Sequence, residues 1–185
     1  MRLFVSVDLP AEFAAPIAEL QAELSDASGL TFTDPQQAHI TLKFLGDVDP
    51  DRRPELDEEL AAAIDAAAVG PFTVRYGGLG VFPDLDYISV VWLGVEDGSD
   101  TLTRLHKAIE DRMTAMGFEP ESHEFTPHVT IARMEHAGGK ALVQDIVRER
   151  EPTIGESQVE SVRLTESSLT ADGPVYSTVE RFPIE

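Results

Sequence analysis

The sequence predicts an α+β protein of two sheet-and-helix lobes. Three observations carry this. Strand-like and helix-like segments interleave along the chain, and the last two strand-like segments look like an antiparallel pair. One four-residue pattern, His-x-Thr-aliphatic, is written twice, as His39-Ile40-Thr41-Leu42 and His128-Val129-Thr130-Ile131, nearly half the chain apart. That spacing suggests two similar halves, each giving one strand to a shared site.

In chain order, Arg2 to Val7 alternates and is rich enough in β-branched residues to be a strand. Phe13, Ile17, Leu20 and Leu24 recur at helical spacing, so a helix follows over 11–25, with Pro16 either beginning its regular part or kinking it. Residues 26–38 read as loop, punctuated by Gly29 and Pro35. The first motif strand runs over 39–45 and is stopped by Gly46. Asp49 with Pro50 opens a helix to about 68, striped by Leu56, Leu60, Ala63, Ile64 and Ala67. Residues 72–76 form a strand, and Gly77-Gly78-Leu79-Gly80 a turn or bulge. These glycines lack the spacing of a dinucleotide fingerprint and no Lys-Ser/Thr follows them, so they suit a tight bend and not a phosphate cradle.

Tyr87 to Val95, with Trp92, is an apolar run of central-strand length. Ser99 or Asp100 then caps a helix striped by Leu102, Leu105, Ile109, Met113 and Met116, with Gly117 as its C′ residue. A charged loop, 118–127, leads into the second motif strand, 128–133. Gly138-Gly139 opens a short helix, and two strands near 157–169 and 175–182 flank the turn Ala171-Asp172-Gly173-Pro174. The whole chain, 1–185, is read as one domain.

Cysteine is absent, which removes disulfides, thiolate nucleophiles and cysteine-based zinc sites and leaves His, carboxylate and hydroxyl for chemistry. No HExxH or His-x-His occurs, so no metal and no cofactor is expected. Lys and Arg number 14 against 34 Asp and Glu, a net charge of −20. Such a charge argues against extended contact with nucleic acid, whose binding rests on basic surface. In molar salt, where the Debye length is about 3 Å, the same charge is screened and keeps a protein soluble. The apolar opening Leu3 to Val7 is short and followed by Asp8, so it reads as a strand and not a leader. The expectation is a monomeric protein of a salt-rich cytoplasm, away from membranes.

In a strand, His and Thr two residues apart share one face while the aliphatics share the other. Two such faces equip a cleft for in-line substitution at phosphorus without a metal: a neutral His takes a proton from the nucleophile and a protonated one gives a proton to the leaving oxygen. The Thr hydroxyls then hold the non-bridging oxygens. Arg133 and Phe44 lie five residues after their histidines, so an ideal strand turns them away and leaves Lys43 and Ala132 inward. Arg133 reaches the site only if its strand ends or bulges first. His106, His123 and His136 lack a Thr partner and read as structural or exposed.

With these motifs, and with Arg2 to Pro10, Lys43 to Gly46, Gly78 to Pro83, Val91 to Gly94, Pro127 and Ser167 to Leu169 with Tyr176 around them, the chain resembles the 2H phosphoesterases, and within them the RNA 2′,3′-cyclic phosphodiesterases also called 2′-5′ RNA ligases. The resemblance implies two pseudo-symmetric lobes, each an antiparallel sheet backed by helices, with the motif strands lining a central cleft. It implies metal-independent hydrolysis of a 2′,3′-cyclic phosphate at an RNA end to a 2′-phosphomonoester, the substrate being a tRNA fragment or a small nucleotide. By position, His39 is then the proton donor and His128 the proton acceptor, while Thr41, Thr130, Arg133 and Phe44 bind substrate. The alternatives are 2′-5′ ligation of tRNA halves and a non-catalytic nucleotide- or RNA-binding module. If the acidic surface is an adaptation to salt, the unfolding free energy rises steeply as KCl is raised toward molar concentrations; a flat response in chemical denaturation overturns it.

Overall fold

The computed structural model describes all residues, Met1–Glu185. Its strands are β1 (Arg2–Asp8), β2 (Leu30–Phe32), β3 (His39–Asp47), β4 (Phe72–Pro83), β5 (Ile88–Asp97), β6 (His128–Met134), β7 (Thr153–Val159), β8 (Ser161–Thr170) and β9 (Gly173–Pro183). Its helices are α1 (Ala14–Glu23), α2 (Arg53–Ala67), α3 (Ser99–Ala115) and α4 (Lys140–Glu149). None is long and apolar enough to cross a membrane.

Every strand pairing is antiparallel, and the order is β7-β4-β5-β6-β3-β1-β8-β9, with β2 added to β6. Two four-stranded halves, β3-β1-β8-β9 and β6-β5-β4-β7, meet at the single pair Ile40–Val129, so the motif strands stand side by side at the centre of a curled sheet. The helices tie the halves together. Helix α1 leaves β1 but packs behind β6 of the other half, and α3 leaves β5 but packs behind β3. Helix α2 packs on α3 and β9, and α4 on β4. The buried faces of the first three (Ile17 and Leu20; Leu56, Leu60 and Ile64; Leu102, Leu105, Ile109 and Met113) follow the stripes read from the sequence, while α4 buries only Val143.

Several expected boundaries move, because pairing overrides local punctuation. Gly46 does not end β3: it takes φ 72° and stays paired with Leu3, so the strand runs to Asp47. The Gly77–Gly80 cluster is no turn. It lies inside β4, where the register skips between Tyr76 and Leu79, and Gly80 lies beneath the Trp92 ring so closely that a Cβ there would meet a ring carbon at 2.2 Å. Part of the expected 26–38 loop is β2. The strand expected near 157 is two: β7 begins at Thr153, and the chain passes to β8 after Val159. Helix α3 has Gly98 (φ 95°) at its N-cap, with neither Ser99 nor Asp100 in that role.

Both motif strands carry a β-bulge at the fourth motif residue. Along β1–β3 the register passes from Val5–Lys43 to Ser6–Thr41, leaving Leu42 unopposed; along β5–β6 it passes from Val91–Ala132 to Trp92–Thr130, leaving Ile131 unopposed. The extra residue inverts the alternation beyond it. Leu42 and Lys43 are therefore both buried and Phe44 emerges; Ile131 and Ala132 are both buried and Arg133 emerges. This corrects the expectation from ideal alternation, which put Lys43 and Ala132 inward. Lys43 instead runs under the sheet to ion-pair with Glu110 at 2.9 Å and Glu121 at 3.6 Å.

A bulge leaves a carbonyl outside the regular ladder, and each is met by a buried side chain from the helix that crosses over from the other half. His106 of α3 donates from Nδ1 to Leu42 O at 2.7 Å, its ring stacked on Phe125 at 4.1 Å. Gln21 of α1 donates from Nε2 to Ile131 O at 3.0 Å and to Thr33 O at 2.8 Å. His106 is thus structural, as expected, while His123 and His136 are exposed. His106→Phe, which retains the stack, and Gln21→Leu should each lower the unfolding free energy by about 1–3 kcal/mol, the cost of a stranded buried carbonyl, measured by urea denaturation.

Candidate active site

Around the Ile40–Val129 pair, antiparallel register places His39 opposite Thr130 and Thr41 opposite His128, all four on the face away from those buried aliphatics. The quartet surrounds a local two-fold axis. Past the bulges the same face receives Phe44, 62% exposed, and Arg133, exposed and free of any ion pair. All six site residues expected from the sequence therefore share one face.

The two imidazoles are held alike. Nδ1–H of His39 donates to Gln37 O at 2.9 Å, and Nδ1–H of His128 donates to Thr126 O at 2.7 Å, each to the carbonyl two residues back. This fixes the tautomer in which Nε2 is the free nitrogen. Nε2 of His39 lies 3.1 Å from the Thr41 hydroxyl. Each ring is also wedged by two aromatics: Phe4 (centroids 5.0 Å) and Tyr176 (5.2 Å) against His39, Phe82 (4.8 Å) and Trp92 (5.9 Å) against His128. All four lie in the stretches that carry the family resemblance, but none is given a role there. They come from β1, β9, β4 and β5, strands whose register against the motif strands no sequence pattern supplies.

Burial lowers both histidines from the ordinary 6.5. For His39 this is opposed by the Gln37 carbonyl and the Asp8 carboxylate and assisted by the Arg133 charge. For His128 it is opposed by the Thr126 carbonyl and assisted by the charges of His39 and Arg133. The two rings and Arg133 thus sit within Coulombic reach of one another. A pocket of about 120 Å³ opens beside His39, lined by Phe4, Asp8, Gln37, Thr165, Tyr176 and Thr178 among others. Gln37 shapes it: its side chain donates to Pro174 O at 3.0 Å and accepts from Tyr176 N at 2.9 Å, clasping the β8–β9 hairpin to the segment that orients His39.

The chemistry available is proton transfer by two imidazoles beside neutral hydroxyls and one free guanidinium. Because the native state binds these two protons less readily than the unfolded chain, acidification below pH 6.5 costs it stability. Imidazole NMR titration should therefore find both histidines titrating below 6.5. The unfolding free energy should fall less steeply between pH 7 and pH 5 in a His39→Gln/His128→Gln variant than in the parent.

The profile of the 2′-5′ RNA ligase superfamily matches residues 9–169. A protein of Archaeoglobus fulgidus called RNA 2′,3′-cyclic phosphodiesterase is 33% identical over 183 residues, 98% of this chain and 99% of the relative. One of Aquifex aeolicus with the same name is 38% identical over 152 residues, 82% of this chain and 80% of the relative. The crystal structure of TT0787 of Thermus thermophilus superposes with a TM-score of 0.80 at 28% identity, over 100% of this chain and 98% of that one. This chain belongs to the 2′-5′ RNA ligase superfamily of 2H phosphoesterases.

Proposed function

We propose that the protein is a metal-independent RNA 2′,3′-cyclic phosphodiesterase that opens the terminal cyclic phosphate by two-histidine acid–base catalysis. The observation that carries this is the pair of equivalent half-sites, each with an Nδ1-anchored imidazole and a Thr hydroxyl, around one local axis. An in-line displacement needs a base on one side of phosphorus and an acid on the other. Two half-sites related by a two-fold axis supply opposed groups.

In this reading His128 Nε2 accepts a proton from water as its oxygen attacks phosphorus. The P–O3′ bond breaks, and His39 gives its proton to O3′, leaving a 2′-phosphomonoester. Thr41, Thr130 and Arg133 hold the non-bridging oxygens, where charge must be stabilised through the transition state. Burial keeps both rings neutral in the free protein near pH 7. The phosphate anion favours the charged form of an adjacent imidazole, so substrate itself assists the loading of the acid. Because the leaving oxygen belongs to the terminal ribose, the nucleoside lies on the His39 side, where the pocket opens. Exposed Phe44 offers a stacking surface. With Lys43 buried in ion pairs and Arg163 turned to Asp8, little cationic surface is left for a longer chain, so recognition centres on the terminal nucleotide of a tRNA fragment, a short RNA or a small cyclic nucleotide.

The test is turnover of an RNA ending in 2′,3′-cyclic phosphate, in molar KCl with EDTA, with the product phosphate located on the ribose. His39→Ala and His128→Ala should each reduce kcat/KM by about 10²- to 10⁴-fold, and Thr41→Val or Thr130→Val by about ten- to a hundredfold. Wild-type turnover in either histidine variant overturns the mechanism. Joining of a 5′-hydroxyl RNA without hydrolysis would assign the ligase direction instead.

A further inference from the structure

The two half-sites match in motif, bulge, carbonyl anchor and aromatic wedge, yet acid and base are different tasks. Something must break the symmetry. Directly across the ladders from the two histidines it breaks: the residue opposite His39 on β1 is Asp8, and the residue opposite His128 on β5 is Gly94. We propose that Asp8 is a positioning residue that reserves the acid role for His39, its carboxylate standing across the ladder from that imidazole while no side chain stands across from His128. This rests on the reading of His39 and His128 as an acid–base pair.

Asp8 is fixed in place. Its Oδ1 accepts from Ser6 Oγ at 3.3 Å, Ser6 Oγ lies 3.0 Å from the Thr165 hydroxyl, and its Oδ2 lies 3.6 Å from Arg163, which also donates to Thr178 at 3.1 Å. Asp8 and His39 line the same pocket. The groups facing His39 are Asp8 from β1, Arg133 and His128 from β6, Tyr176 from β9 and, through Asp8, Arg163 from β8. Asp8 is the one carboxylate among them, and it favours the imidazolium where Arg133 opposes it. For His128, the charge of Arg133 and any charge on a protonated His39 both disfavour the imidazolium. The next outward carboxylate on β5, Glu96, is turned to Arg75 at 3.5 Å. The asymmetry is built into the backbone: a Cβ at Gly94 would meet Gly77 O at 2.7 Å and a Trp92 ring carbon at 3.3 Å, so β5 admits no carboxylate there.

Asp8→Asn keeps the acceptor for Ser6 and removes the charge. In imidazole NMR titration of the substrate-free protein, His39 should then titrate at lower pH with His128 unmoved. Arg163→Gln, which leaves the carboxylate uncompensated, should move His39 the other way, and Asp8→Glu should restore it. In kinetics, the acid must be protonated, so the alkaline limb of kcat/KM moves to lower pH in Asp8→Asn while the acid limb, set by His128, stays. At a pH on that limb the loss is about three- to tenfold. A His39 titration that ignores both Asp8→Asn and Arg163→Gln, or one that His128 follows equally, overturns the proposal. The NMR arm needs no substrate and so judges Asp8 even if the hydrolysis assay fails. An alkaline limb that stays fixed while His39 moves overturns the reservation of the acid role.

Discussion

A regular β-strand cannot present His, Thr and a third side chain five residues past the His on a single face, because alternation forbids it. The cleft therefore depends on two carbonyls taken out of the ladder, those of Leu42 and Ile131. Each bulged carbonyl is met by a buried donor, His106 on one side and Gln21 on the other. Without those donors the stranded carbonyl costs about 1–3 kcal/mol, and a regular register that turns Phe44 and Arg133 away becomes competitive. The donors sit on α3 and α1, the two helices that cross between halves. One arrangement thus joins the lobes and shapes the site.

If this face takes a phosphate, as proposed, the same bulges determine which cation meets it. Of the cations near the motif strands, Lys43 is drawn beneath the sheet to Glu110 and Glu121, and Arg163 is occupied by Asp8. Arg133 is left exposed, unpaired and near both histidines. A single guanidinium beside neutral hydroxyls suits one phosphate group far better than a run of them, since affinity for a polyanion scales with the number of phosphates neutralised.

Near-symmetry is a source of this geometry and also a problem for it. Two copies of one half-site give two like imidazoles about one axis, and under the proposed mechanism identical environments would leave acid and base undefined. The departures from symmetry include Asp8 against Gly94 and Ser6 against Trp92 across the ladders, Phe44 against Arg133 past the bulges, and Thr41 bonded to the His39 Nε2. The first is enforced by crowding, since the Gly77 carbonyl and the Trp92 ring occupy the space that a side chain on β5 would need.

By itself the sequence determined the interleaved α+β plan, the helix stripes, the absence of thiol chemistry, and the shared face of each His and Thr. These follow from periods of 3.6 and 2 and from composition, which are properties of the chain alone. It did not determine the bulges, and so misplaced Lys43 and Ala132 and left Arg133 and Phe44 undecided. Nor could it carry β4 through Gly77–Gly80, separate β7 from β8 or find β2, because register is fixed by partner strands distant in sequence. Only the tertiary structure brought Gln21 to Ile131, His106 to Leu42 and Asp8 to His39: the first two contacts join helices to strands remote in sequence, and the third spans a ladder between strands. The face of each motif is a local fact, while what completes and distinguishes the two faces is a matter of long-range packing.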